Sequence, residues 1–191
     1  ASTDVKFSAD ALLTHTTKAM GFVSTTASAA APTFTTVTAV PSWEGAVTLN
    51  GTATSILADG NVNIARTVNP IWTVSGDQNP YQMFAGPVAV SGSLMLVMES
   101  DTQLLYYLNN TQPALDISFT QGTGAGAQKI QFHMTQCAFT VGKIERSKDY
   151  VELNVTYKAV ANQTDAGDPS GGLYSPIAVT FQNALGSGTY V

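Results

Sequence analysis

Between Val88 and Met98 the chain alternates. Val88, Val90, Leu94, Leu96 and Met98 fall on one side of an extended backbone, and Ala89, Ser91, Ser93, Met95 and Val97 on the other. Side chains repeat every second residue in a strand and about every 3.6 residues in a helix, so this run specifies a strand with one apolar face. Gly92 stands on that face, where a bulge or the close approach of another backbone suits a residue without Cβ.

The same period returns along the chain. Val5, Phe7, Ala9 and Ala11 alternate, as do Leu115, Ile117 and Phe119, then Ile130, Phe132 and Met134. Val151 to Ala159 alternates cleanly, and Ile177, Val179 and Phe181 make a last strand. Further strands are expected over Ala46 to Thr54, Asn61 to Val68 and Cys137 to Ile144. Ala58-Asp59-Gly60-Asn61 reads as a turn, Asn69-Pro70 as the end of a strand, and Gly76 to Pro87 as a loop. Gly122 to Ala127, Arg146 to Asp149 and Asn162 to Gly172 are further polar or glycine-rich connections. The segment Asp101 to Asn109 alone reads as a helix. Ser100 or Asp101 can cap it, Leu104, Leu105 and Leu108 form a stripe, and Asn109-Asn110 with Pro113 stops it. Short connections between neighbouring strands imply an antiparallel meander. The expected fold is all-β, an antiparallel β-barrel or sandwich of about nine strands with one short flanking α-helix.

Periodicity fails from His15 to Pro41, where Thr, Ser and Ala dominate and Pro32 and Pro41 interrupt. A connection of this length in a compact domain needs a reason, and contact with another subunit or disorder are the two on offer. Met20, Phe22, Val23 and Phe34 lie in it and require burial somewhere. The 191 residues suit a single domain, 1–191, with 15–41 as a long loop or arm between subunits.

Charged residues make up only 11% of the chain, against about 25% in ordinary soluble domains. A weakly charged, Thr-rich surface fits a subunit covered by neighbours and equally a β-domain with a neutral polar exterior. The formal charge of −5, with eight Lys and Arg spread thinly, excludes a reader of nucleic-acid sequence, which needs a concentrated cationic footprint. A lone cysteine, Cys137, forms no internal disulfide and reads as buried. No signal peptide and no run of 18 apolar residues is present, so no membrane partner is expected.

Catalytic constellations are not found. His15 and His133 lack metal-ligand spacing, and no nucleophile elbow exists. Gly122-Thr123-Gly124-Ala125-Gly126 lacks the lysine of a phosphate loop and follows a β-run. Asp165 and Asp168 share a glycine-containing loop and read as solvated carboxylates. No enzyme activity, cofactor or metal is expected.

From Ser42 onward the chain resembles the tail tube proteins of long-tailed bacteriophages, notably the actinobacterial phage type. The matching residues are Trp43-Glu44-Gly45-Ala46-Val47-Thr48-Leu49-Asn50-Gly51, Val62-Asn63-Ile64-Ala65-Arg66 and Gly86-Pro87-Val88-Ala89-Val90-Ser91-Gly92-Ser93-Leu94. Leu105-Tyr106-Tyr107-Leu108-Asn109-Asn110 follows, then Gly172-Leu173-Tyr174-Ser175-Pro176-Ile177 leading into Val179-Thr180-Phe181-Gln182-Asn183. The order of these segments, more than any one of them, carries the likeness. It implies a small β-barrel-like fold with a flanking helix, related to the type VI secretion tube. It implies a structural subunit of the virion tail, assembled in the host cytoplasm, whose hexameric rings stack into a hollow tube that conducts DNA during ejection. Its partners would be itself, a tape-measure protein, tail-terminator or baseplate proteins, and phage DNA held transiently without sequence specificity. Relatives often carry more sequence before the equivalent of Val5, which implies the C-terminal part of a longer chain. On this reading Met20, Phe22, Val23 and Phe34 meet a neighbouring subunit, and Ser91 and Ser93 face a lumen with few Lys or Arg. The alternative, from another class, is an immunoglobulin-like decoration or binding domain of a virion or cell surface.

Overall fold

The computed structural model describes residues 1–21, 40–74, 80–123, 127–146, 148–167 and 171–182. Within them lie two antiparallel sheets packed face to face. Six strands form the larger, in the spatial order β2 (Thr14–Lys18), β1 (Ser2–Ser8), β5 (Leu57–Ile71), β6 (Gln82–Val97), β10 (Glu152–Ala159) and β9 (Cys137–Glu145). Five form the smaller: β11 (Ala178–Gln182), β8 (Gln128–Met134), β7 (Leu115–Gln121), β3 (Gly45–Leu49) and β4 (Thr52–Thr54). Neither sheet closes on itself, so the fold is a sandwich and not a closed barrel.

The alternation seen in the sequence sets the core. Val62, Leu94, Leu96, Leu153, Val155 and Tyr157 point inward from the larger sheet, and Leu115, Ile117, Phe119, Phe132 and Met134 meet them from the smaller. Each large apolar side chain buried in full is worth roughly 1.5–3 kcal/mol. Phe7 and Phe119 join the layers, with ring centroids 5.5 Å apart.

Gly92 explains its own presence on the apolar face. Tyr157, buried in full, donates its hydroxyl to the Asn61 carbonyl at 3.1 Å, and burial pushes the phenol pKa upward so that it stays a donor. A Cβ at position 92 would meet the Asn61 carbonyl oxygen and stand 2.6 Å from Tyr157 Oη. The close backbone approach expected there is therefore real, and it lets β5, β6 and β10 share one internal hydrogen bond.

Four local expectations change. Thr14–Lys18 is a strand paired with β1, so the region from His15 opens on regular structure; its β-branched threonines suit an edge strand. The stretch Ala46 to Thr54 is two strands joined at Asn50-Gly51, whose φ values of 50° and 78° make a tight hairpin turn. Ala58-Asp59-Gly60-Asn61 is not a turn but the start of β5; its glycine leaves room for the Phe7 ring, 2.7 Å from where a Cβ would be. Asn69-Pro70 does not end β5, and the last part of the expected loop, from Gln82 to Pro87, is strand. Asn69 pairs with Phe84, Pro70 with Met83 and Ile71 with Gln82. Pairing on the β1 side ends with Ala1 and Arg66, which exchange two backbone bonds of 2.9 Å, so beyond it β5 and β6 form a two-stranded ribbon whose outer edges have no partner among the described residues. A proline there need not remove a ladder bond, and Pro87 sits opposite the irregularity at Arg66/Val68.

The helix α1 (Thr102–Leu108) matches its expected span to within a residue at each end. Ser100 Oγ accepts from the Thr102 N–H at 3.4 Å, while Asp101 makes no side-chain cap. Tyr107 packs over Gly142 of β9, and Tyr106 meets Phe139 edge-on at 6.3 Å. Leu104 joins the core with them, but Leu105 and Leu108 of the expected packing stripe are exposed. A second helix, α2 (Gln163–Ala166), is a single turn in the expected polar loop.

Replacing Gly92 by alanine forces Tyr157 or the β5 backbone to move. The expected loss is about 1–3 kcal/mol, read from the urea midpoint of unfolding. An unchanged midpoint would show that the Tyr157–Asn61 contact relaxes at no cost.

Candidate assembly surfaces

The outer face of the six-stranded sheet is set by the same alternation, one residue out of phase with the core. Register places Asn61 and Asn63 of β5 beside Ser93 and Ser91 of β6, with Thr156 and Lys158 of β10 on their other side. Ser93 is exposed and Ser91 half-buried. The Asn61 side-chain oxygen accepts from both Ser93 N–H (2.9 Å) and Ser93 Oγ (2.7 Å), and its amide donates to Asp4 at 3.1 Å. This face also carries Lys6, Lys18, Lys143 and Lys158 among Asp4, Asp59 and Glu145, while Glu152, buried at its edge, is taken by Lys148. Lys6 lies 3.7 Å from Asp4, and Lys143 lies 2.7 Å from Glu145. The wall is small and polar. It holds four of the chain's eight Lys and Arg, so its near-neutrality comes from the carboxylates among them and not from the expected scarcity of cations.

The edges of this sheet are β2 and β9, and neither has a second partner among the described residues. Free edges present rows of unpaired N–H and C=O groups that accept another strand. Large apolar side chains also stand in solvent. Ile71, Trp72, Val74, Tyr81 and Phe84 crowd the end of the β5–β6 ribbon, and Val74 is fully exposed. A two-stranded ribbon is marginal alone in water, and an apolar cluster on it marks a contact surface.

Polar clusters elsewhere are built for structure. Asp116 of β7 accepts from Gln131 at 2.5 Å and bonds His133 Nδ1 at 2.9 Å, tying β7 to β8. Asp165, buried at the α2 turn, accepts from the Thr135 N–H (2.9 Å), the Thr135 hydroxyl (2.7 Å) and Asn162 Nδ2 (2.7 Å). It is thus an internal fastener and not the solvated loop carboxylate expected; Asp168 lies outside the described residues. Thr135 Oγ1 is 3.5 Å from His133 Nε2, but the 2.7 Å partner of that hydroxyl is Asp165, so it is not held as a nucleophile for His133. No group of three His, Cys, Asp or Glu placed to hold a metal occurs among the described residues. Cys137 is buried, and desolvation, helped by the Asp165 charge, pushes its thiol up to about 12, which leaves it inert.

Of the residues the sequence singled out, Ser91 and Ser93 are brought together on one face. Met20 is exposed just after β2, while Phe22, Val23 and Phe34 lie outside the described residues. The apolar ribbon was missed because Asn69-Pro70 and the Gly76-Asp77 and Asn79-Pro80 pairs read as breakers. The signal for it was present: Val68, Ile71, Trp72, Val74, Tyr81 and Phe84 give β-prone residues on both sides of the Gly76-Asp77 and Asn79-Pro80 pairs.

An all-β sandwich with free sheet edges, a balanced polar wall and large apolar groups in solvent defines a class, the subunits built to meet copies or partners. The family model described as phage tail tube protein matches residues 2–170, and the chain belongs to that family. No curated protein matches it. Membership makes this a structural protein of the phage tail that self-assembles into the tail tube. No described helix is long and apolar enough to cross a membrane.

One ion pair secures the β9 end of the sheet. Lys148 donates to Glu152 at 2.6 Å across the β9–β10 turn. That hydrogen bond holds the Glu152 carboxyl below its ordinary 4.5, against desolvation, which raises it. A lowered folded pKa gives stability that is present above the unfolded value and lost as pH falls through the folded one. Glu152→Gln is therefore expected to unfold at lower temperature than the parent near neutral pH, with the difference closing below about pH 4.5 as Glu152 protonates. Thermal melts across that range decide it; a gap independent of pH would remove the ion pair from the account.

Proposed function

We propose that the chain forms hexameric rings that stack into the tail tube, and that the outer face of the six-stranded sheet lines the channel through which DNA is ejected. One observation carries this reading: the edge strands of the larger sheet, β2 and β9, have no second partner among the described residues and run in opposite directions. Its six strands alternate in direction from β2 to β9. Rotation about an axis roughly along the strands brings the β9 of one copy beside the β2 of the next, in antiparallel order. Repetition satisfies both edges and closes a continuous β-wall.

The chemistry of the face supports the channel assignment. DNA carries one negative charge per roughly 1.7 Å of its axis, and an unbalanced basic wall would hold it at many points. Here Lys6 and Lys143 are paired with Asp4 and Glu145, and Ser91, Ser93, Asn61, Asn63 and Thr156 fill the centre beside Lys158. The remaining field is screened over roughly 8–10 Å. The single domain, 1–191, contributes the ribbon and the segment 15–41 to contacts between copies. Met20 is the described member of the apolar set in that segment and stands exposed for such a contact. A tape-measure protein inside the tube and terminator or baseplate proteins at its ends complete the virion tail, built in the host cytoplasm.

Electron microscopy of the purified protein at high concentration tests the assembly; rings or tubes are expected, and a persistent monomer would overturn it. Deletion of 22–32 is expected to block assembly while leaving the monomer folded, as circular dichroism reads; tubes of normal yield would remove the segment from the interface. Ser93→Lys tests the channel face. It loses a hydrogen bond to Asn61, worth about 1 kcal/mol, and meets no partner in the tube. Tubes should form and DNA ejection should slow. Normal ejection from particles shown to contain the lysine would move the lumen to another face.

A further inference from the structure

The sandwich has two sides between its sheets, and among the described residues only one is filled. At the β9 side, α1 covers the gap, with Tyr106 and Tyr107 against Phe139 and Gly142. At the opposite side, between β2 and β11, an apolar groove of about 560 Å³ remains. Leu13, Ile64, Ile130, Phe132, Val179 and Phe181 line it, and no Asp, Glu, Lys or Arg does. Phe181 is 74% exposed there, an unusual state for a phenylalanine on a regular strand.

The helix on the other side shows the complementary defect. Its seven residues, Thr102–Leu108, carry no charge, and none is fully buried. Leu105 and Leu108, three apart and so on one face, are 40% and 62% exposed. A helix apolar on nearly all sides is one that a packed assembly encloses.

We propose that the Leu105/Leu108 ridge of one copy seats in the β2/β11 groove of the next copy. The occupant is a second copy of this chain for three reasons. Groove and ridge are both mostly apolar and hold no Asp, Glu, Lys or Arg, with His15 and two threonines at the groove's β1–β2 wall, so neither nucleic acid nor a strongly charged peptide is matched. They lie on opposite sides of one molecule, and a patch complementary to a distant pocket on the same chain makes a head-to-tail contact that closes rings or extends filaments. The ridge belongs to the side that carries β9 and the groove to the side that carries β2, so the same rotation that pairs those edges brings ridge to groove. The inference rests on the ring reading above. It adds to strand pairing an apolar lock between the layers, which fixes the angle between subunits.

The test is a site-directed cross-link in the full chain. Leu108→Cys together with Phe181→Cys is expected to give a ladder of disulfide-linked oligomers on oxidation, and either variant alone none beyond background. Native Cys137 is buried and does not compete. As an independent arm, Leu108→Glu is expected to lower tube yield at least tenfold while keeping the monomer's circular dichroism, and adding Phe181→Lys to restore most of it. Tubes seen by microscopy that never cross-link, or Leu108→Glu tubes of normal yield, overturn the ridge-in-groove contact and leave the ring reading intact. Parent protein that stays monomeric at every concentration overturns both.

Discussion

β5 and β6 pair from Leu57 opposite Leu96 to Ile71 opposite Gln82, and the remaining parts take their places from that ladder. Its inner half is the centre of the larger sheet, with β1 added on one side and β10 on the other. Its outer half outruns both neighbours and becomes the apolar ribbon. Gly92 lets the two strands and β10 close around Tyr157, so the register of three strands is fixed by a single buried hydroxyl as well as by alternation. A slip of one residue would turn Val90, Leu94 and Leu96 outward and Ser91 and Ser93 into the core.

From that register follow the two surfaces that matter for a tube. The polar wall is the far side of the same strands whose near side is the core. Its neutrality is therefore not independent of folding: each Ser, Asn or Thr on it alternates with a Val, Leu or Tyr beneath. Among the described residues, the edges β2 and β9 are where this ladder-building stops. A solitary protein would blunt such edges or cover the apolar side chains near them. This chain instead keeps Leu105, Leu108 and Phe181 in solvent, which is the arrangement of a molecule completed by its neighbours.

Much of this was legible in the sequence where one physical signal dominated. Alternation from Val88 to Met98 and from Val151 to Ala159 placed the Val88–Val97 part of β6 and all of β10, and the cap and stop signals placed α1, although two of its three stripe leucines lie outside. Legibility failed where two signals competed. Asn-Pro pairs outweighed the β-prone residues of the ribbon, because proline's missing N–H matters only where a neighbour needs it. Asn50-Gly51 was read through as strand although it is a strong hairpin signal. Asp165 looked like a loop carboxylate, and only three-dimensional proximity to Thr135 and Asn162 reveals a buried acceptor.

The sequence by itself determined the all-β class, the apolar and polar faces of the main strands, the position of the helix and, through its ordered segments, the likeness to tail tube proteins. These are local properties, carried by periods of a few residues or by segment order. Tertiary structure decided that the sheets remain open as a sandwich, which strands form the edges, and that Leu105 and Leu108 lie outside while Leu104 lies within. It also decided that Lys6 and Lys143 of the polar wall stand beside Asp4 and Glu145. Each of these depends on which distant strands pair and in what register, and loop-separated pairings leave no local periodicity from which to read them.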